Sequence, residues 1–356
     1  MKIYRAAIVG LGRMGSTIDE EVVGYPSITL PYSIAASCQA SERLELVAGS
    51  DLLEEKRAAF GTKWGVDALY ADYIEMIEKE KPDLVAVCTK GDVHADMGVK
   101  VAAMGVPMIY MEKAMACSMG EADLVLESCS EHGTVFNTGV LRRFDNRYSA
   151  VRDVIESGAI GEVRTAVHFA GSNLLHGHIH SMDTLSFLLG DPKIAQVKGE
   201  LLPRDLVIEN NRLDKDPSSL YHLLFENGVE GWTIPAGHWE FEVTGTEGSV
   251  RSRNNGVSGE LRKAIEQGGK RRSWEEVPFS PLESRKRARF VEPRSAVVDC
   301  LEDLVEAYEN KRPSLGNVEL THHITEACFA VAESHQQDGK WIELPGVDRD
   351  LYIFHV

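Results

Sequence analysis

The chain of 356 residues predicts an α/β protein in two parts: a doubly wound parallel sheet first, then an α+β domain on an open, mainly antiparallel sheet. Three observations carry this. A short apolar run ends in Gly10, Gly12 and Gly15 with G-x-G-x-x-G spacing. Apolar runs of strand length then alternate with helical periodicity as far as Gly139, as a parallel sheet requires. From Glu162 onward the pattern changes to alternating strands joined by Gly-containing turns.

The first run, IYRAAIV, reads as a strand and the glycines after it as the turn into a helix. The three glycines act differently, since Gly10 permits the tight turn, Gly12 lets backbone approach a pyrophosphate, and Gly15 lets helix and strand pack closely. The helix N-terminus beyond them presents free N–H groups to an anion, so Gly10, Gly12, Arg13 and Met14 are expected to bind a dinucleotide. This is the Rossmann pattern. Leu44–Gly49 reads as the second strand and delivers Asp51 where an adenosine ribose would be hydrogen-bonded. Leu52, Leu53, Glu54 and Glu55 follow it, and that acidic field disfavours a 2′-phosphate, so the expected cofactor is NAD and not NADP. The interval from Gly15 to Asp51 exceeds the usual ~20 residues. The excess lies in DEEVVGYPSITLPYS, whose Gly24, Pro26 and Pro31 mark a loop, either a wall over a ligand or a surface excursion.

Leu84–Thr89 and Pro107–Met111 read as further strands with a helix over Val93–Met104 between them; a helix over Met119–His132 leads to a sixth strand in Thr134–Gly139. The first domain is therefore placed at 1–140 and the second at 141–356. VRTAVHFAG, SLYHLLFENG and HWEFEVTG supply antiparallel strands, Ala296–Asn310 and Leu320–Ser334 supply helices, and KWIELP supplies a final extended piece. No repeat of solenoid or propeller period is present.

Composition bounds the function classes. Hydrophobic residues at 43% and charged residues at 26% are those of a globular protein. A net charge of −17 argues against general nucleic-acid binding and against anionic lipid. The six cysteines contain no C-x-x-C pair, as expected for thiols in a reducing compartment, and the N-terminal apolar run is broken by glycines and Arg13 unlike a secretory signal; cytoplasm is the expected location. No apolar run approaches the ~18 residues of a membrane span. Residues 251–294 concentrate Lys and Arg, including Lys270-Arg271-Arg272 and Arg285-Lys286-Arg287, and read as a solvated excursion, a subunit contact or a phosphate site.

The fifth strand runs into Met111-Glu112-Lys113-Ala114. Ligands bind beyond the carboxyl ends of such strands, so Glu112 and Lys113 are expected toward the nicotinamide end of the cofactor, where a lysine can orient and deprotonate a hydroxyl. Together with Thr89-Lys90-Gly91-Asp92-Val93-His94, Arg142-Arg143-Phe144, Ile179-His180-Ser181-Met182-Asp183, EVTGTEGSVR and the closing KWIELP, these motifs in this order resemble the Gfo/Idh/MocA family of NAD(P)-dependent sugar and polyol oxidoreductases over nearly the whole chain. The resemblance implies that Lys113 and His180 are catalytic. It further implies that Thr89, His94 and Glu112 contact or shape the nicotinamide ribose pocket, that Arg143 and Asp183 bind substrate, and that the protein is a homodimer or homotetramer; His176 is expected to bind substrate on the helical reading of its own segment. The implied reaction is hydride transfer between a carbinol carbon and nicotinamide. Two alternatives stay open: an enzyme with permanently bound NAD that uses transient oxidation for elimination, epimerisation or glycoside cleavage, and a non-catalytic cofactor-binding protein.

Three departures from the family pattern stand out. Ala114 replaces proline, leaving the backbone after Lys113 less restricted; Lys90 and Gly91 replace Pro-Asn; and His176 stands where many members carry an aspartate. His176, His178 and His180 form H-x-H-x-H, a metal-ligand pattern if extended. If helical, 176 and 180 share a face and 178 points away, so a substrate-binding pair is the preferred reading and no metal is expected.

Overall fold

A computed structural model describes residues 2–265, 273–281 and 294–355. By its contacts the chain divides into two units. The first comprises Met1–Leu141, Arg294–His322 and Tyr352–Val356; the second comprises Arg142–Pro293 and His323–Leu351. The first stretch ends one residue from the sequence-based boundary. The later stretches differ from it, because Arg294–His322 and the last residues return to the first unit instead of staying with the second.

The first unit is a six-stranded parallel sheet in the order β3-β2-β1-β4-β5-β6, formed by β1 (Tyr4–Val9), β2 (Leu44–Ser50), β3 (Ala68–Tyr70), β4 (Leu84–Val87), β5 (Met108–Met111) and β6 (Val135–Thr138). Strands β4 and β5 are apolar throughout and completely buried, because a parallel sheet is covered on both faces. Strand order reverses between β1 and β4, and that switch point opens the crevice in which doubly wound sheets bind ligands.

Two short helices, α1 (Ile18–Val22) and α2 (Ile34–Ala40), stand where a single one is usual. The loop between them is closed by Asp19, whose carboxylate accepts the backbone N–H of Tyr32 at 2.7 Å and of Ser33 at 2.9 Å. Connections α3 (Glu54–Trp64), α4 (Tyr73–Glu80), α5 (His94–Ala103) and α6 (Met119–His132) follow. Ser118 caps α6 and Gly133 ends it at φ 64, which fixes the helix at the limits its sequence indicates.

The second unit holds α7 (Asn146–Glu156), β7 (Val163–Phe169), α8 (Ile179–Leu188), β8 (Ile194–Leu202), β9 (Arg212–Leu213), β10 (Ser218–Phe225), β11 (Glu230–Ile234), β12 (Glu240–Gly245), β13 (Gly248–Arg253), β14 (Ser258–Ile265) and β15 (Ser273–Val277). Its nine-stranded sheet has the order β15-β14-β13-β12-β7-β11-β10-β8-β16, with β16 at Ile342–Glu343. Pairing is antiparallel except between β7 and β11. Buried and half-exposed residues alternate along β10, the signature of a sheet with one face on a core.

Helix α9 (Ala296–Asn310) matches its sequence-based limits and lies against β5 and β6 in the first unit. Helix α10 (Val318–Gln336) begins in that unit and continues in the second, where Val331 and the hydroxyl of Ser334 approach Gly199 on β8. The clusters Lys270-Arg271-Arg272 and Arg285-Lys286-Arg287 lie outside the described residues. No helix among the described residues is long and apolar enough to cross a membrane.

Asp303, fully buried on α9, fixes the chain beyond this helix. One of its oxygens accepts from Arg312 Nη2 at 2.8 Å and the other from the backbone N–H of Leu315 at 2.7 Å. Removing it strands the Leu315 N–H and half of an ion pair. Asp303→Ala is expected to cost about 2–3 kcal/mol of stability, read as a lower urea midpoint; an unchanged midpoint refutes this anchoring role.

Candidate active site

The turn after β1 is built by close backbone contact. Gly10 has φ +90, and a Cβ there would lie 2.6 Å from the carbonyl oxygen of Cys88; a Cβ on Gly15 would lie 2.1 Å from the carbonyl oxygen of Gly10. No side chain fits either place. The segment Arg13–Thr17 leaves this turn as a wide π-helical turn, with Ser16 and Thr17 N–H both donating to the Gly12 carbonyl. The N–H groups that open a helix lack intrahelical acceptors, so the backbone at Gly12, Arg13 and Met14 suits a pyrophosphate. The Arg13 side chain pairs with Glu21, so its charge is partly spent.

Asp51 closes the same turn. Its Oδ2 accepts from Leu11 N–H at 3.0 Å and its Oδ1 from Leu53 N–H at 3.0 Å, tying the end of β2 to the end of β1. The acidic pair Glu54-Glu55, on which the expected NAD preference leans, is followed directly by two cations. Helix α3 turns Lys56 back to 3.7 Å from Asp51 and across the face of Gly12, and Arg57 donates to the carbonyls of Asp51 and Leu52. The acidic field is therefore moderated by a lysine that Asp51 itself holds.

At the carboxyl ends of β4 and β5, His94 is buried between two carbonyls, with Nδ1 2.8 Å from Ala114 O and Nε2 3.1 Å from Thr89 O. Burial lowers its pKa, outweighing the two acceptors that favour protonation. The imidazole thus joins the Thr89 segment to the lysine loop. His355 adds a second brace, with Nε2 3.3 Å from the carbonyl of Lys113. It also explains Gly91, since a Cβ there would lie 2.4 Å from the His355 ring. The Lys113–Ala114 peptide is cis. Glu112 is buried, accepts a short hydrogen bond from the Tyr110 hydroxyl and lies against Gly139; burial first and Glu112 second raise the Tyr110 pKa, keeping it a donor.

In the second unit, the histidine segment begins as a π-helical turn over Leu174–His178 and runs into α8. Asp216 holds its start, accepting Leu175 N–H at 2.9 Å and His176 N–H at 2.7 Å. The three histidines part company there: His176 is exposed, His180 is half-buried, and His178 is fully buried with Nδ1 on Ser181 Oγ and Nε2 on the carbonyl of Ser219. His178 and its neighbour His168 are pushed down to about 4 and about 2, chiefly by burial, so both are neutral packing groups. Trp239 stands edge-on to His180, ring centroids 6.5 Å apart, and tilted against His168 at 4.9 Å.

Neighbouring arginines diverge. Arg143 is buried, with Nε 2.7 Å from Asp183 and Nη1 2.8 Å from Asp191, so Arg143 and Asp183, the pair assigned to substrate by resemblance, are engaged in a buried ion pair with each other. Arg142 instead lies over Trp239. Asp216, Trp239, Lys56, Arg142 and His355 were not assigned roles from the sequence. The Asp216-Pro217 dipeptide is a turn signal that marks the first; the others depend on contacts between distant residues.

Residues 4–140 match the family model described as an oxidoreductase family with an NAD-binding Rossmann fold. The scyllo-inositol 2-dehydrogenase (NAD(+)) of Bacillus subtilis (strain 168) is 27% identical over 268 residues, covering 69% of this chain and 72% of that protein. Among solved structures, the aldose-aldose oxidoreductase of Caulobacter crescentus complexed with glycerol aligns with TM-score 0.76 at 18% identity, over 97% of this chain and 100% of that one. Levoglucosan dehydrogenase, in complex with NADH and levoglucosan, aligns with TM-score 0.73 at 18% identity over 97% and 100%. At these identities the structures establish a shared fold. Residues 4–140 therefore carry the NAD-binding Rossmann fold that the family model describes. Over residues 4–140 the chain matches the Gfo/Idh/MocA family model.

Two expectations follow from the site. Asp51→Asn keeps an acceptor for Leu11 while releasing Lys56, so the ratio of the NADP Kd to the NAD Kd should shrink about 10-fold; an unchanged ratio in calorimetric titrations removes Asp51 from discrimination. Burial raises Asp183 from 3.8 to about 6 despite Arg143. A carboxyl raised in the folded state contributes stability that is present below its unfolded pKa and lost as pH rises through the folded one. Asp183→Asn cannot ionise, and its stability relative to wild type should rise by about 2 kcal/mol between about pH 4.5 and about pH 7 in urea melts. A relative fall over that range shows that the Arg143 pair outweighs burial.

Proposed function

We propose that this protein is an NAD-dependent oxidoreductase that oxidises a carbinol of a sugar, sugar derivative or cyclic polyol to a carbonyl. The supporting observation is the lysine loop: Lys113 follows β5 at the ligand-binding end of the sheet, on a backbone held by His94 and His355. The first unit's turn fits the cofactor, since Gly10 and Gly15 leave no room for a Cβ and the backbone at Gly12, Arg13 and Met14 can take a pyrophosphate. NAD, when bound, supplies the hydride acceptor.

In this reading the carbinol carbon loses its hydrogen with the C–H electron pair, the O–H bond breaks, and the carbonyl forms between them. Lys113 orients the hydroxyl and His180 receives its proton; the family resemblance implies that both are catalytic and leaves this division to the present reading. Asp216 acts at one remove, fixing the backbone from which His176 and His180 project. The location consistent with this reading is the cytoplasm, with the protein a homodimer or homotetramer acting on a small molecule.

Lys113→Ala and His180→Ala should each lower kcat by about 100-fold or more while NAD binding is kept, and the double variant should lose less than the product of the two. Stopped-flow and steady-state assays over sugars and inositols, with NADH read by absorbance, provide the test. Near-normal turnover in either single variant removes that residue, and carbon-skeleton products without NADH release replace net dehydrogenation with transient oxidation.

A further inference from the structure

The second unit contains an arginine whose surroundings differ from those of its neighbours. Arg143, Arg147, Arg152, Arg251, Arg253 and Arg262 all face carboxylates. Arg142 faces none within ion-pair distance among the described residues. Its Nε donates to Tyr148 Oη at 3.1 Å and to Asn255 Oδ1 at 3.2 Å, and its Nη2 donates to the same Asn255 oxygen at 2.7 Å. Both acceptors are neutral. They fix the guanidinium plane without cancelling its charge, and Nη1 makes no hydrogen bond among the described residues. Asp145, the acid nearest in sequence, is committed to Arg147, and Asp183 is committed to Arg143.

The packing around this charge is specific. The Arg142 guanidinium carbon lies 4.7 Å from the centre of the Trp239 ring and 5.7 Å from that of Tyr148. Trp239 adopts φ +49, a left-handed conformation rare for a bulky residue, and its carbonyl is held by the N–H of Asn255, itself at φ +51. Such outliers persist where surrounding structure enforces them. Here they bring the indole against both Arg142 and His180, with its tip 3.6 Å from where a Gly177 Cβ would stand. The half-exposed guanidinium is thus pre-set on an aromatic plate that it shares with the proposed proton acceptor. His176 adds no negative charge to this segment, in contrast to the aspartate expected there. A fixed, uncancelled guanidinium is the group that recognises a carboxylate, by charge-assisted hydrogen bonds that a neutral hydroxyl cannot match.

We propose that Arg142, held across Trp239 beside His180, binds a carboxylate on the substrate, so that the sugar oxidised is an acidic one of the uronate or aldonate type. This rests on the oxidoreductase reading above. The test compares matched pairs that differ only in a CH2OH or COO⁻ group, glucose against glucuronate and galactose against galacturonate, with NAD. At least one acid should be used with the higher kcat/KM, and its KM should rise with ionic strength while that of the neutral sugar does not. In Arg142→Met the acid-to-neutral ratio of kcat/KM should fall about 10- to 100-fold, with part of it restored in Arg142→Lys. Preference for the neutral member of both pairs, or an unchanged ratio in Arg142→Met, overturns the proposal and leaves the oxidoreductase reading intact. If no sugar is oxidised, binding decides: quenching of tryptophan fluorescence by an acid sugar in the presence of NADH, lost in Arg142→Met, sustains the carboxylate site while removing the dehydrogenase reading. Absence of such binding overturns the proposal as well.

Discussion

The structure of the first unit depends on one steric constraint, the approach of the Gly10 carbonyl to within 2.1 Å of where a Cβ on residue 15 would stand. That approach brings helix and strand together, points the opening N–H groups at the switch point of the sheet, and leaves Leu11 N–H for Asp51. Asp51 in turn carries the end of β2, and with it Lys56, to the same turn. In the proposed function, cofactor preference is a by-product of how this turn is closed: the carboxylate that joins the two strands also sets the charge that the ribose would meet.

A similar economy governs the lysine loop. Ala114 lacks the ring that would restrict the backbone after Lys113, yet the carbonyls of Lys113 and Ala114 are each met by an imidazole, from His355 and His94. Rigidity that a proline supplies through its own covalent ring is supplied here by buried hydrogen bonds. Gly91 belongs to this arrangement, because only an absent side chain admits the His355 ring.

The strands of the first sheet were legible because buried parallel strands are uninterrupted apolar runs, and α6 and α9 were legible because capping residues and amphipathic spacing agree. The Gly10–Gly15 turn was legible from its spacing together with the apolar strand before it and the second strand ending at Asp51. Other features depend on which way a side chain turns. Lys56 and Glu54 are two residues apart, and only the phase of α3 brings the lysine back to Asp51. Arg142 and Arg143 are adjacent and chemically equal, but one is buried between two aspartates and the other lies on an indole. His178 reads as a possible metal ligand and is instead a core residue, since its partners Ser181 and Ser219 supply what a buried imidazole requires. The return of Arg294–His322 to the first unit was illegible for another reason: an amphipathic helix states that it has a buried face, not which sheet covers it.

That return limits how the protein can be taken apart. The chain passes between its units at 141/142, 293/294, 322/323 and 351/352. A gene fragment ending at residue 141 would encode all six strands of the first sheet and yet leave β5 and β6 without α9, baring the apolar layer that Val297, Cys300, Leu301 and Leu304 occupy in the intact protein. Neither unit is therefore a transferable module in the simple sense. Recombination that exchanges the second unit for another has to preserve every seam at once, which favours change by point substitution over the swapping of whole units.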